Sequence, residues 1–383
     1  MEKCPKIPNG VASVLQKIEA VGEEAYLVGG CVRDWYMSCQ PHDYDITTSA
    51  LPEKLLKIFQ GSRVIETGLQ HGTVTVLTLD GPVEVTTYRQ DGAYSDHRHP
   101  DAVTFTRSLS EDLARRDYTM NAMAMDRAGT IIDPFGGSAD IDVRVIRCVG
   151  EPDRRFREDA LRIFRGLRFA ARLGFQLEKE TAAAMERKKD LLHKIASERI
   201  FSELCGLLEG AYAAEILADY GGILAEVLPE LNFKDIPYLK TLPPVSTLRL
   251  AALLPEGGAD TVLLRLKVSN AFRQEVLLLV RERGEVCPPE RVAVRRRCVA
   301  LGAENFIKLC QFQKNEKAKR LAEELLQEGA CLSVKELAVS GKDLMALGLK
   351  GARIGETLML LLEQVTEEQV PNEKEPLLKS LKK

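Results

Sequence analysis

Up to about Gly150 the apolar positions fall in short β-branched runs: AYLVGG, YDITT, GTVTVLTL, PVEVTTYR, AVTFTRS and GTIIDPF. Each is bounded by Gly, Pro or Asp, as strands are. Helical spacing lies between some of them, as in PEKLLKIFQ. The pattern predicts an α+β domain around one sheet. After Gly150 the strand signals stop. FREDALRIFRGLRFAARLGF, SERIFSELCGLLEG, AAEILADYGGILAEVL and NAFRQEVLLLVRERG all carry the helical period. The remainder therefore reads as all-helical, interrupted at LPPV (Leu242 to Val245) and CPPE (Cys287 to Glu290). There is no internal repeat and no low-complexity segment.

Composition narrows the class. A chain of 383 residues holds two or more domains, and 45% hydrophobic with 28% charged residues is ordinary for a globular protein. No run of about 18 apolar residues predicts a membrane span, and MEKCPKIPNG lacks the pattern of a signal peptide. The nine cysteines are scattered without CxxC pairs, which reads as reduced thiols in a cytoplasmic protein. The HRH at His97 to His99 has no further ligand nearby and reads as a loop pair. A net charge of −3 decides nothing about nucleic acid, for which local basic patches would be needed.

The chemistry begins at HDYDIT. If Tyr44 to Thr47 form a strand, alternation puts Asp43 and Asp45 on one face, with Tyr44 and Ile46 toward the core. Two carboxylates on one face repel unless a cation sits between them, and Mg²⁺ suits such oxygen ligands together with phosphate oxygens. A lone Asp-x-Asp also fits a solvated strand end. A dozen residues earlier, AYLVGGCVRDWYM reads as strand, tight turn and helix. There Gly29 and Gly30 let the backbone approach an anion, and Arg33 lies one turn further on. No GK[ST] follows, so this is not a Walker loop. Glu84 in PVEVTTYR is either a third acid on a neighbouring strand or a structural, loop-orienting residue.

The spacing predicts a helix from about Arg157 to Gly174. Ala160, Phe164, Leu167 and Ala171 cluster on one face, and Asp159, Arg162, Arg165 and Arg168 form a stripe centred on the other. The stripe is either a solvated face with i,i+3 salt bridges or a row of cations that meets a triphosphate. Asp159 and Arg162 carry a sharper implication. Adenine and cytosine both present an amino donor beside a ring-nitrogen acceptor. A carboxylate accepts from the first and a guanidinium donates to the second. Guanine and uracil present the reverse and would leave charges unpaired.

LVGGCVRD, HDYDIT, RRDYTMNAMAMD, DPFGG, REDALRIFRGLRF and SERIFSEL occur in that order over the first 205 residues or so. Together they resemble the bacterial class II tRNA nucleotidyltransferases, the CCA-adding enzymes of the DNA polymerase β superfamily. A weaker likeness continues through ELAVSGKDLMALGLKGARIGETLMLLLEQV and VPNEKEPLL. The resemblance implies a polymerase-β-like head with a mixed sheet and helices (1–150), followed by an all-α neck with a base-recognition helix (151–215), a body (216–325) and a tRNA-binding tail (326–383).

It further implies that Asp43 and Asp45 hold Mg²⁺. Gly30, Arg33 and Arg116 would hold the nucleotide, Asp159 and Arg162 would read its base, and Arg165 and Arg168 would complete the pocket. The activity implied is template-independent addition of C, C and A to tRNA 3′ ends from CTP and ATP. Some relatives add only CC and are marked by a shortened loop before RRD. Here YRQDGAYSDHRHPDAVTF (Tyr88 to Phe105) is full length, which favours CCA or A addition. An A-adding enzyme working with a CC-adding partner is the nearest alternative.

Related poly(A) polymerases usually carry a GRRFR-like stretch where this chain has GLQHGTVTV. Enzymes that transfer a nucleotide to a small molecule lack the EDALRIFRGLRF helix. A catalytically dead RNA-binding relative is disfavoured by intact Asp43, Asp45 and Arg116. RVAVRRR (Arg291 to Arg297), KNEKAKR (Lys314 to Arg320) and SGKDL (Ser340 to Leu344) are candidate tRNA contacts or ordinary solvated helix faces. Monomer and homodimer remain equally compatible with the sequence.

Overall fold

The computed structural model describes residues 6–91 and 103–381. It comprises two compact units, Met1–Ile236 and Pro237–Lys383. The pair His97 to His99 and most of the loop before RRD lie outside the described residues.

The first unit is built on a seven-stranded mixed sheet. In chain order the elements are α1 (Asn9–Glu19), β1 (Ala25–Val28), α2 (Gly30–Tyr36), β2 (Tyr44–Thr48), α3 (Pro52–Ile58), β3 (Val64–Ile65), β4 (Thr73–Thr78) and β5 (Gly81–Thr87). There follow β6 (Arg89–Asp91), β7 (Val103–Phe105), α4 (Leu109–Ala114), β8 (Ala124–Met125), β9 (Ile131–Ile132) and α5 (Gly137–Asp142). The strand order is β3-β4-β5-β2-β1-β8-β9, with β6 and β7 paired separately. Only the β2–β5 pairing in the large sheet is parallel, and the rest are antiparallel.

Alternation sorts the two faces of the sheet. Leu27, Ile46, Val74, Val76, Val83 and Val85 are all buried on one face, against which α1 and α3 pack. Burial of each such side chain contributes on the order of 1.5–3 kcal/mol. The opposite face carries Asp45, Thr47, Glu84 and Thr86, which the register brings into two adjacent pairs. Next to them Val28 joins a second small core with Leu113, Ala122, Ala124 and Val149. Tyr44 is only half-buried, not a core residue as the alternation suggests, and its hydroxyl accepts a hydrogen bond from Gln40 Nε2 at 3.0 Å. It is the first residue of its strand.

The first unit continues with β10 (Val145–Ile146), α6 (Pro152–Glu158), α7 (Leu161–Leu173), β11 (Gln176–Leu177), α8 (Lys179–Lys188), α9 (Ser197–Leu208) and α10 (Ala213–Ala225). Beyond Gly150 the chain is therefore not wholly helical: the two-residue β11 pairs in parallel with β10. So short a strand leaves no readable period. The helix expected from about Arg157 also differs. The chain leaves helical geometry at Asp159 (φ −142°, ψ 104°), which caps the end of α6, and α7 begins at Leu161. Asp159 Oδ1 accepts from the Leu161 N–H at 3.0 Å, the local side-chain bond that competes with helix and favours a break.

From the unit boundary onward every regular element among the described residues is a helix: α11 (Ile236–Thr241), α12 (Ser246–Leu253), α13 (Ala259–Arg265), α14 (Asn270–Glu282), α15 (Arg291–Leu301), α16 (Ala303–Gln313), α17 (Glu316–Gln327), α18 (Gly341–Ala346), α19 (Ala352–Thr366) and α20 (Lys374–Ser380). The Pro pairs of LPPV and CPPE fall between helices, as expected. Near the C-terminus Leu344, Leu361, Leu362, Val365 and Leu377 share one core. Among the described residues no helix is long and apolar enough to cross a membrane.

Candidate active site

The centre of the site is Asp45. On β2 it stands opposite Val28 of β1 on one side and Glu84 of β5 on the other. Solvent reaches its side chain, yet the protein packed around it makes desolvation the largest influence on its acidity. Desolvation, then Glu84, push the carboxyl up to about 6; Asp43 adds to the rise and Arg116 opposes it. Such mutual carboxylate repulsion is what a bound cation relieves.

The β1–α2 turn brings the cations in. Gly29 adopts φ 75°, ψ −134°, a conformation essentially reserved for glycine. A Cβ there would lie 3.2 Å from an outer nitrogen of Arg116 and 4.0 Å from Asp45 Oδ2, and one on Gly30 would lie 3.6 Å from an outer nitrogen of Arg33. Asp45, Arg116 and Arg33 thus converge on Gly29 and Gly30. Arg116 Nε is buried with no hydrogen-bond partner among the described residues. An orphaned donor of this kind is costly unless a ligand oxygen satisfies it.

Asp112, on α4, explains how Arg116 is held. Its carboxylate is fully buried and accepts from Thr47 Oγ1 (3.0 Å), Arg115 Nε (2.9 Å), Arg116 (3.4 Å) and the Arg89 N–H (3.3 Å). Burial raises its pKa, but Arg115 and Arg116 outweigh burial and hold it below the usual carboxylate range. Asp112 also fixes Thr47, two residues along β2 from Asp45.

The arginines of α7 are arranged by partners far away in sequence. Arg165 Nε donates to the buried Asp117 at 2.7 Å and Arg168 Nε donates to Glu203 on α9 at 2.5 Å. Asp117 also accepts from the Tyr118 N–H (2.8 Å) and Asn121 Nδ2 (3.1 Å). Burial alone would raise its pKa; Arg165 and these donors hold it well below the usual range. Arg33 donates to Asp34 at 2.7 Å and 2.9 Å and to Asn121 Oδ1 at 2.8 Å. Tyr118 donates to the Arg162 carbonyl at 2.6 Å. It can do so because residue 166 is glycine: a Cβ there would lie 2.3 Å from the Tyr118 hydroxyl.

Asp159 and Arg162 meet through the backbone, where the Arg162 N–H donates to the Asp159 carbonyl at 3.1 Å, while their side chains take other partners. Asp159 Oδ2 accepts from Arg199 of α9 at 3.0 Å. Arg162 is only 7% exposed. It donates to Glu158 (3.0 Å) and to the Arg115 carbonyl (3.1 Å), which ties α7 to the RRD segment. The sequence reading had no role for Asp112, Asp117, Phe169, Arg199 or Glu203. Asp117 lies in RRDYTMNAMAMD, Phe169 in REDALRIFRGLRF, and Arg199 and Glu203 in SERIFSEL, whereas Asp112 left no trace in the sequence.

In the second unit the candidate tRNA-contacting runs engage acids of their own unit. Arg291 and Arg296 pair with Glu328 and Glu367, and Arg297 pairs with Glu282 at 2.9 Å. Ser340 and Asp343 of SGKDL form a reciprocal capping box at the start of α18.

A family model described as "Poly A polymerase head domain" matches residues 25–147, which contain the paired acids and both glycines. "Probable RNA and SrmB-binding site of polymerase A" matches residues 174–234, and a tRNA nucleotidyltransferase domain 2 model matches 247–381. The chain is 39% identical over 401 residues to the CCA-adding enzyme of Enterococcus faecalis, covering 100% of this chain and 98% of that one. It is 39% identical over 383 residues to the CCA-adding enzyme of Geobacillus kaustophilus, covering 94% and 93%. Among solved structures, the Bacillus stearothermophilus CCA-adding enzyme in complex with CTP superposes with a TM-score of 0.81 at 33% identity, covering 97% of each chain. A tRNA nucleotidyltransferase complexed with a primer tRNA and an incoming ATP analog gives 0.64 at 25% identity, covering 82% and 98%. The chain belongs to the family of CCA-adding enzymes, tRNA nucleotidyltransferases built on a poly(A) polymerase head.

Proposed function

We propose that the protein adds C, C and A in turn to the 3′ end of tRNA from CTP and ATP, releasing pyrophosphate, without a nucleic-acid template. Likeness to CCA-adding enzymes over the whole chain supports this, and nothing favours the rival A-adding reading over it. The single observation that carries the chemistry is the convergence of Asp45, with its pKa pushed up, and the orphaned Arg116 Nε on the Gly29–Gly30 turn.

Asp43 and Asp45 would hold a divalent metal, which we take to be Mg²⁺. Among the described residues no group of three or more His, Cys, Asp or Glu is gathered to enclose an ion. The protein would therefore offer two carboxylates, and phosphate oxygens and water would complete the shell, the usual arrangement for Mg²⁺. When bound, the ion neutralises phosphate charge and lowers the pKa of the attacking hydroxyl. Arg116, Arg33 and the turn at Gly30 hold the triphosphate in line with the tRNA 3′-hydroxyl, which attacks the α-phosphorus as pyrophosphate departs. Glu84 keeps the negative field on Asp45 high, so that the site favours a cation.

Asp159 and Arg162 read the Watson–Crick edge of the base, and Arg165 and Arg168 complete the pocket. Arg199 and Glu158 hold the reading side chains in place. The division into head (1–150), neck (151–215), body (216–325) and tail (326–383) follows the same reading, with the helical parts carrying the tRNA.

The deciding experiment supplies purified protein with tRNAs lacking the last three, two or one nucleotides and each labelled triphosphate in turn. C incorporation followed by A is expected. Incorporation of A alone, and only on tRNA ending in CC, would establish the A-adding alternative instead.

A further inference from the structure

Phe169 lies on α7 and is only 7% exposed. Three guanidinium groups surround its ring: Arg168 at 4.4 Å from the centroid, Arg33 at 5.4 Å and Arg165 at 5.5 Å. Tyr118 meets the same ring edge-to-face, with centroids 6.0 Å apart and planes at 86°. All three distances fall within the roughly 6 Å range of cation–π attraction. Arg33 comes from α2, directly after the Gly29–Gly30 turn; the other two come from α7, far along the chain.

We propose that Phe169 is the positioning residue that gathers Arg33, Arg165 and Arg168 into one phosphate-binding cluster; the inference deepens the function proposed above and rests on it. Three cations within reach of one ring repel each other, and something must hold them together before a polyanion arrives. Asp34, Asp117 and Glu203 already pair with them, and a further carboxylate among them would compete with the phosphates. The face of an aromatic ring attracts each cation through its quadrupole and adds no net charge. The hydrogen bonds point the same way. Arg165 and Arg168 donate from Nε to Asp117 and Glu203, which fixes each guanidinium by its inner edge. Arg33 is fixed by Asp34 and Asn121. Glu203 also reaches Arg165 at 3.8 Å, and Asn121 links Arg33 to Asp117, so this polar network tethers the three groups at their edges and the ring is the one surface that all three share.

Phe169 touches neither the reacting atoms nor the base in this scheme. Its loss would weaken triphosphate affinity and raise the KM for CTP and ATP together, with a smaller change in kcat. Base choice would stay the same, since Asp159 and Arg162 govern it.

The test replaces Phe169 with a series of ring-fluorinated phenylalanines of nearly constant shape, in the full-length enzyme, with F169L as the ring-free limit. Affinity is read for CTP and for inorganic tripolyphosphate, alongside the KM for CTP and the melting temperature. The expected result is a stepwise loss of affinity for both ligands with increasing fluorination, reaching about tenfold, at a melting temperature close to that of the parent. A flat affinity across the series would overturn the proposal, as would a loss that tracks the melting temperature. R33A and R116A separate the two readings. If these leave triphosphate affinity unchanged, the nucleotide site itself is misassigned. If they lower it while the fluorinated series stays flat, only the role of Phe169 fails.

Discussion

Asp117→Asn removes a single charge from an ion pair of the site whose acid is buried and has a calculable outcome. The Asp117 carboxylate accepts three hydrogen bonds, from Arg165 Nε, Asn121 Nδ2 and the Tyr118 N–H. An amide in its place has one oxygen for these donors, and its NH₂ group must face another donor. Arg165 also loses the buried charge that balances it. Breaking a fully buried pair costs about 3–5 kcal/mol; with Arg165 about a third exposed, the loss is about 1–3 kcal/mol, which for a unit of this size lowers the melting temperature by about 2–12 °C.

The pH dependence makes the test specific. An unfolded aspartate titrates near about 3.9, and the folded one is held well below that by Arg165 and its hydrogen bonds, against the cost of burial. The carboxylate's contribution is therefore fully present above about pH 4 and is lost as pH falls through that value toward the folded pKa. The amide of the D117N variant does not titrate. The stability gap between parent and variant, measured by urea unfolding from about pH 7 down to about pH 3, is expected to be constant above about pH 5 and to narrow below about pH 4. A gap that stays constant to the acid end of the series, or a variant as stable as the parent at neutral pH, would refute the account of Asp117.

D43N and D45N are each expected to reduce nucleotide incorporation by about a thousandfold or more, given several kcal/mol of charge stabilisation from the metal they hold. Near-parental activity in single-turnover assays would sink the catalytic assignment. D159A should reduce kcat/KM for CTP and ATP about 10–100-fold, the worth of a charged hydrogen bond, and should narrow discrimination against GTP and UTP; unchanged selectivity in competition assays would exclude base reading by Asp159. G29A places a Cβ in a conformation that disfavours it and 3.2 Å from Arg116, at a cost of about 1–3 kcal/mol; the KM for both nucleotides should rise while tRNA affinity, read by filter binding, stays the same.

Much of the first unit was legible because period-two runs closed by turn residues survive in any context. YDITT and PVEVTTYR became β2 and β5, and alternation correctly put Asp45 on the face opposite Ile46. The glycine pair was legible for a similarly local reason, since the strained turn at Gly29 is a property of its own dihedrals. The α7 stripe was only half legible. Ala160, Phe164, Leu167 and Ala171 are all buried as the period requires. Asp159, however, left the helix because its side chain bonds its own backbone two residues on, an option that an averaged helical pattern does not register.

The sequence by itself therefore determined which residue types were available: two acids one residue apart, adjacent glycines, and arginines at helical spacing. The tertiary structure alone decided what each one faces. Asp112 meets Thr47 across 65 residues of chain, Arg33 meets Asn121 across 88, and Arg165 meets Asp117 across 48. Periodicity specifies the direction of a side chain relative to its own helix or strand. Which acid, carbonyl or ring waits there depends on how distant elements pack, and the assembly of three arginines around Phe169 follows from that packing.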